Sequence, residues 1–150
     1  MWGPCGTGKS FCAACIANAL IDKNVPVLMT SFPAILDSRN GTIELVNDFH
    51  NYSLIILDDL GAERQSEYAL EKVYYVIDEI YKARIPLIVT TNQDISDMRK
   101  YAYEDVGNTD YNRIYDRVLS MCSSMMFIGN TRRKAEMIEK TMELKEILNG

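Results

Sequence analysis

The chain has 150 residues, 47% of them apolar, which is enough to bury one full core and reads as a single domain without a linker. A net charge of −5 and a pI near 4.9 argue against strong autonomous binding to nucleic acid. With no run of about 18 apolar residues, no secretory signal, and only Cys5, Cys12, Cys15 and Cys122 as thiols, the expected setting is a reducing cytoplasm rather than a membrane or a disulfide scaffold.

The first element is a loop. Gly3-Pro4-Cys5-Gly6-Thr7-Gly8-Lys9-Ser10 matches the Walker A pattern G-x-x-x-x-G-K-[ST]. Its glycines let the backbone curl so that several N–H groups point at one phosphate, and the following helix adds its N-terminal dipole. Lys9 is placed to reach the β- and γ-phosphates, and Ser10 to carry its hydroxyl onto Mg²⁺. Such a loop normally follows a buried strand, yet only Met1 and Trp2 precede Gly3, so the sequence reads as a fragment starting at the Walker A loop. The missing strand would be central, and its loss is expected to leave two strands without a neighbour and bare backbone groups between them.

A helix is predicted over 8–22, ended by Asn24 and Pro26. Cys12 and Cys15 lie inside it with C-x-x-C spacing. Within an apolar helix and without a second such pair they read as buried small hydrophobes, not as a zinc or redox site, so Mg²⁺ is the one metal expected. A strand over 25–30 follows, then a short helical or irregular stretch over 36–39, a turn at Asn40-Gly41 and a helix over 43–50. Residues 53–59 form a continuous apolar run ending in Asp58 and Asp59, the pattern of a strand buried on both faces of a parallel sheet.

The longest helix is predicted over 65–84, with Leu70, Val73, Ile77 and Ile80 on one face as a core stripe. A second buried strand over 85–91 ends in Thr90-Thr91-Asn92. Helices over 95–102 and 111–122, a last strand over 124–128 and a charged helix over 133–148 complete the chain. Strands alternating with helices give an α/β fold, a parallel sheet sandwiched by helices. Ligands in such sheets bind beyond the carboxyl ends of the strands, where the loop, Asp58-Asp59 and Asn92 all fall. Asp58 would hold Mg²⁺, Asp59 would polarise the attacking water, and Asn92 would orient that water, with a helix-capping role as its structural alternative.

The sequences Gly-Pro-Cys-Gly-Thr-Gly-Lys-Ser at 3 to 10, Leu-Asp-Asp-Leu-Gly-Ala-Glu-Arg at 57 to 64, Thr-Thr-Asn at 90 to 92, Asn-Arg-Ile-Tyr-Asp-Arg-Val at 112 to 118 and Phe-Ile-Gly-Asn-Thr-Arg-Arg at 127 to 133 together resemble the DnaC/DnaI-type helicase loaders. These are P-loop ATPases of the AAA+ group, with the IstB transposition helpers as a sister group. The resemblance implies ATP with Mg²⁺, an ATP-dependent homo-oligomer, and no C-terminal lid. It makes Arg117 the arginine finger reaching a neighbour's γ-phosphate, with Arg113 as second candidate, and Arg133 the sensor arginine of its own subunit; a guanidinium's fixed fork suits both jobs. The implied partner is a replicative helicase, gripped through an N-terminal region that this sequence lacks, or a transposase if the IstB-like reading holds. The segment over 31–51 is shorter than the family's usual insert. Single-stranded DNA is therefore expected to bind weakly, and only if oligomerisation lines up the basic residues Arg113, Arg117, Arg132, Arg133 and Lys134. A non-hydrolysing nucleotide-binding module is the alternative from another class, and a generic P-loop kinase ranks last.

Overall fold

The computed structural model describes residues 1–37, 41–61, 66–104 and 109–129, together with 141, 142 and 145. Its elements are α1 (Lys9–Ile21), β1 (Val27–Ser31), α2 (Phe32–Asp37), α3 (Gly41–Asn47), a 3₁₀ turn (Phe49–Asn51), β2 (Leu54–Leu60), α4 (Glu67–Ala83), β3 (Leu87–Thr91), α5 (Ile95–Tyr103) and α6 (Thr109–Met121). The three strands lie parallel in the order β1-β2-β3, with Val27 opposite Leu54 and Ile55 opposite Leu87. This is the expected α/β sheet with helices against it.

β2 is central and shows why its sequence is uninterrupted by polar residues. Leu54, Ile55, Ile56 and Leu57 are all buried, and alternate residues serve opposite faces. Ile55 and Leu57 join one cluster with Leu70, Val73, Ile77 and Ile80 of α4, so the predicted stripe is indeed core. Leu54 and Ile56 join a smaller cluster with Ala13 and Ala17 of α1.

Local chemistry fixes the helix ends. Ser66 caps α4 by accepting a bond from the Ala69 N–H at 3.2 Å, and Arg84 closes it in the left-handed conformation, φ 55°. Asp94 caps α5 through the Ser96 N–H at 2.8 Å. Capping of α5 therefore falls to Asp94, which frees Asn92 from the structural alternative. Among the described residues no helix is long and apolar enough to cross a membrane.

Several expectations are corrected. The helix predicted over 43–50 is α3 plus a separate 3₁₀ turn, while the stretch read as helical or irregular is helical in its described part, as α2, which begins earlier, at Phe32, with Pro33 in its first turn, where a missing N–H costs nothing. Cys15 is exposed and Cys12 only half-buried, because the buried positions of α1 are Lys9, Ala13 and Ala17, four residues apart. The strand predicted over 124–128 is reduced to one bridge at Met126. The bridge partner is Trp2, in the segment Met1–Trp2.

That two-residue segment also modifies the expectation of bare strand edges. The Trp2 N–H donates to Met125 O (2.9 Å), and Phe127 N–H donates to Trp2 O (2.8 Å). On the other side the Met1 ammonium donates to Val89 O (2.8 Å) and Thr91 N–H donates to Met1 O (3.0 Å). Met1–Trp2 thus sits between β3 and residues 125–127, as the central strand is expected to. Nearer the start of β3, the half-buried Cys122 thiol donates to Leu87 O at 3.5 Å, and burial pushes that thiol's pKa up. The tail helix over 133–148, apart from 141, 142 and 145, the turn residue Asn40, and Arg133 lie outside the described residues.

Candidate functional site

Three separate segments meet in one cleft of about 550 Å³. The loop contributes Cys5, Gly6 and Gly8, the start of α1 contributes Lys9, Ser10 and Phe11, β2 ends there in Asp58 and Asp59, and β3 brings Thr90 and Asn92. Gly3, Pro4 and Thr7 shape the loop. Gly3 has φ 137°, and a Cβ there would lie 2.4 Å from the Phe127 carbonyl oxygen, so only glycine fits. The Thr7 hydroxyl donates to Pro4 O at 2.9 Å.

Gly8 stands at the N-cap of α1 in the left-handed conformation and offers no side chain to the helix's first N–H groups. Those donors and the helix dipole therefore face the cleft, an arrangement that suits an anion. Lys9 is 94% buried, and its three ammonium donors go to Gly3 O, Pro4 O and Asn92 Oδ1, each at 2.8 Å. An ammonium has three donors, so the set is complete. Asn92 Oδ1 is the one side-chain acceptor of the three, and rotating it away would free a donor for phosphate.

Asn92 continues the chain: its Nδ2 donates to Asp59 Oδ1 at 3.1 Å. Lys9, Asn92 and Asp59 are thereby joined, the three residues assigned by sequence to phosphate binding, water orientation and water polarisation. Asp59 itself has φ 64°, rare for a non-glycine residue, and lies where the β2–β3 register shifts between Leu57 and Leu60. The irregularity turns both acids toward the cleft, although strict strand alternation would send them to opposite faces.

Thr90 stabilises that turn, a role not read from the sequence. Its buried hydroxyl donates to Asp58 Oδ1 and accepts the Asp59 N–H at 2.9 Å. The available signal was a hydroxyl residue near the end of a wholly apolar strand, next to the strand carrying the acids. Gln93 is a second such residue: it takes the Tyr115 hydroxyl on its Oε1 and fills the space beside Gly61, where a Cβ would lie 2.3 Å from the Gln93 amide nitrogen.

The residues present fit a Mg²⁺–nucleoside triphosphate. Ser10 and Asp58 offer two oxygen ligands on one wall, and no cluster of three or more His, Cys, Asp or Glu side chains suited to a metal occurs among the described residues. That donor set matches an ion carried in with phosphate and water rather than one held by a dedicated protein cage.

Arg117 is not on the cleft wall. It lies in the seam between α4 and α6, its Nε 3.3 Å from Asp78 Oδ1 and its guanidinium 4.3 Å from the centre of the Tyr81 ring. Lys82 also reaches Asp78, at 2.8 Å. The Lys82 hydrogen bond, with help from Arg117, holds the Asp78 carboxyl below the usual carboxylate range. Arg113 is exposed beside Tyr74, 5.8 Å from its ring centre.

The model of the family described as "ATPase family associated with various cellular activities (AAA)" matches residues 1–147. Among curated proteins, the chain is 28% identical over 112 residues to the replicative helicase loader DnaC of Escherichia coli K12, covering 69% of this chain and 46% of that protein. It is 22% identical over 144 residues to the replicative helicase loader DnaI of Bacillus subtilis 168, covering 89% of this chain and 46% of the relative. The chain thus spans about half the length of the curated relatives it matches. Among solved structures, a crystal structure of DnaI superposes with a TM-score of 0.69 at 25% identity, covering 87% of this chain and 71% of that one. The DnaC helicase loader superposes with 0.65 at 19%, covering 85% and 76%, and AMPPCP-bound DnaA from Aquifex aeolicus with 0.61 at 16%, covering 96% and 44%.

Proposed function

The chain belongs to the AAA family of ATPases, and from that premise we propose that residues 1–150 are the ATP-binding and ATP-hydrolysing domain of a DnaC/DnaI-like replicative helicase loader, with bound ATP acting as an assembly switch. The observation that carries the reading is the hydrogen-bonded chain Lys9–Asn92–Asp59 across the cleft, which links phosphate binding to water activation. Both curated relatives named above are helicase loaders, and this supports the replicative helicase as the partner.

Magnesium, held through Ser10 and Asp58, would neutralise charge on the phosphates. The loop N–H groups and the start of α1 bind the phosphates, and Lys9 exchanges its Asn92 contact for a phosphate oxygen. Asn92, so released, orients water, and Asp59 accepts its proton. Asp carries one methylene less than Glu, which fits slow turnover.

Arg117 completes the site from a neighbouring subunit. To do so it exchanges Asp78 for the neighbour's γ-phosphate, so turnover requires assembly. Arg133 is the sensor arginine in this reading. A net charge of −5 fits weak contact with single-stranded DNA made by the assembly rather than by one copy.

The test is Mg·ATP turnover per protomer across a range of protein concentrations, with Lys9→Ala as the blank. The expected rate climbs with concentration and vanishes in the blank. Arg117→Ala should keep ATP binding and lose turnover by about a thousandfold. Unchanged turnover in Arg117→Ala would remove the trans-acting role, and ATP binding without turnover at any concentration would replace the enzyme by a nucleotide-binding module.

A further inference from the structure

Gln93 follows Asn92 directly but is not on the cleft wall. Its half-buried side chain goes to two other segments of the chain. Its Oε1 accepts from the Tyr115 hydroxyl of α6, and its amide nitrogen occupies the space beside Gly61, 2.3 Å from where a Cβ would stand. Gly61 follows β2, two residues past Asp59. The Tyr115 end of this link is fixed: the residue is 4% exposed, and its ring lies with its centre 5.6 Å from that of Tyr111 and 6.1 Å from that of Tyr101. A ring so packed makes its hydroxyl a fixed point on α6. A second tie runs alongside. The Thr91 hydroxyl donates to Leu60 O at 2.7 Å and accepts the Gln93 N–H at 3.1 Å.

The strand ends need such ties. The β2–β3 register shifts between Leu57 and Leu60, so a regular ladder does not set the spacing of β2 and β3 where Asn92 and Asp59 meet at 3.1 Å. A hydrogen bond weakens steeply with misalignment, and two groups that share one water must hold their separation to a few tenths of an ångström. Once Lys9 turns to phosphate, the aim of Asn92 rests on Asp59 and on where the backbone at position 92 is held.

Resting on the nucleotide reading of this site, we propose that Gln93 and Tyr115 are positioning residues for Asn92, holding the ends of β2 and β3 at the separation from which Asn92 and Asp59 address the water and the terminal phosphate. In this role neither touches the nucleotide. Helix α6 enters the geometry of the site from behind, through one hydroxyl. The consequence is selective. The loop, Lys9 and Ser10 bind the inner phosphates without the pair, whereas the contacts made only to the terminal phosphate and in the transition state depend on it.

Calorimetric titration of the whole chain with Mg·ADP and with a Mg²⁺-bound non-hydrolysable ATP analogue tests this, alongside Mg·ATP turnover at a protein concentration where the rate per protomer has levelled off. The preference for the analogue over ADP is read whether or not the chain turns over. The wild type should bind the analogue more tightly. Tyr115→Phe and Gln93→Ala should bind Mg·ADP as the wild type does, while the preference for the analogue and kcat each fall about tenfold with KM little changed. Gly61→Ala should cause a like loss by displacing the Gln93 amide, and should add little in the Gln93→Ala background, where that space is open. Affinities for ADP and analogue that fall together would assign the pair to the fold alone and overturn the proposal, as would unchanged preference and kcat in both Tyr115→Phe and Gln93→Ala. A wild type that binds ADP and analogue equally well removes the positioning role but leaves the phosphate site standing. One that binds neither removes both.

Discussion

The two faces of the sheet are built differently. Against α4, α5 and α6 the sheet packs large aliphatic and aromatic side chains, sixteen buried among the described residues, including Ile77 and Ile80 with no exposure. Against α1 the described cluster has four buried residues, two of them alanine, and Ile16, Leu20, Val27 and Ile88 are only partly covered. Buried apolar area stabilises at about 25 cal/mol per Å², so the first face supplies most of the fold's stability. The second holds the phosphate loop. The loop's position depends on Lys9 and on main-chain bonds more than on packing, which leaves the start of α1 able to adjust to a ligand.

The sharpest way to break this comparison is to shave one side chain from each face. Ile77→Ala is expected to cost about 2–5 kcal/mol, because the site is fully enclosed, while Leu20→Ala on α1 should cost about 1 kcal/mol; chemical denaturation reads both. Equal losses would mean that α1 is as firmly held as α4. Next in size, Gly3→Ala should cost about 2 kcal/mol, since its Cβ meets backbone rather than a movable side chain, and φ 137° is foreign to alanine. Gly8→Ala, with open space at its Cβ, should carry the φ strain alone and lose less.

The smallest effect belongs to the α4–α6 seam. Asp78→Asn should cost about 1 kcal/mol at neutral pH, since Lys82 and Arg117 are partly solvated. The pH dependence gives the sign. The folded-state pKa of Asp78 is depressed, so its contribution is present above the unfolded value near 4 and is lost as pH falls through the lower folded value. Melting temperatures from pH 6 down to 2 should therefore fall less steeply for Asp78→Asn than for the wild type. Parallel curves would remove the electrostatic account of the seam.

The phosphate loop, the acids of β2 and the core stripe of α4 were legible because each is a local rule. Phosphate binding asks for fixed residue types within eight positions, and a helix face repeats with its own period. What stayed hidden depends on pairs far apart in the chain. Thr90 was quoted only as part of a motif, since its hold on Asp58 and Asp59 exists only once β3 lies beside β2. The pairing of Arg117 with Asp78 spans 39 residues and exists only once α6 lies against α4. Cys15 was misread because the apolar content of α1 exceeds what its shallow face buries.

Met1 and Trp2 act as a crossbeam. They are bonded on one side to Val89 and Thr91, next to Asn92, and on the other to Met125 and Phe127, and the loop departs from them at Gly3 without an intervening residue. Gly3 in turn sits against the Phe127 carbonyl and accepts from Lys9. A tug on the loop therefore loads both arms of the beam at once. Residues 89–91, which lead into Asn92, and residues 125–127 are thus tied to the same two-residue segment from which the loop departs.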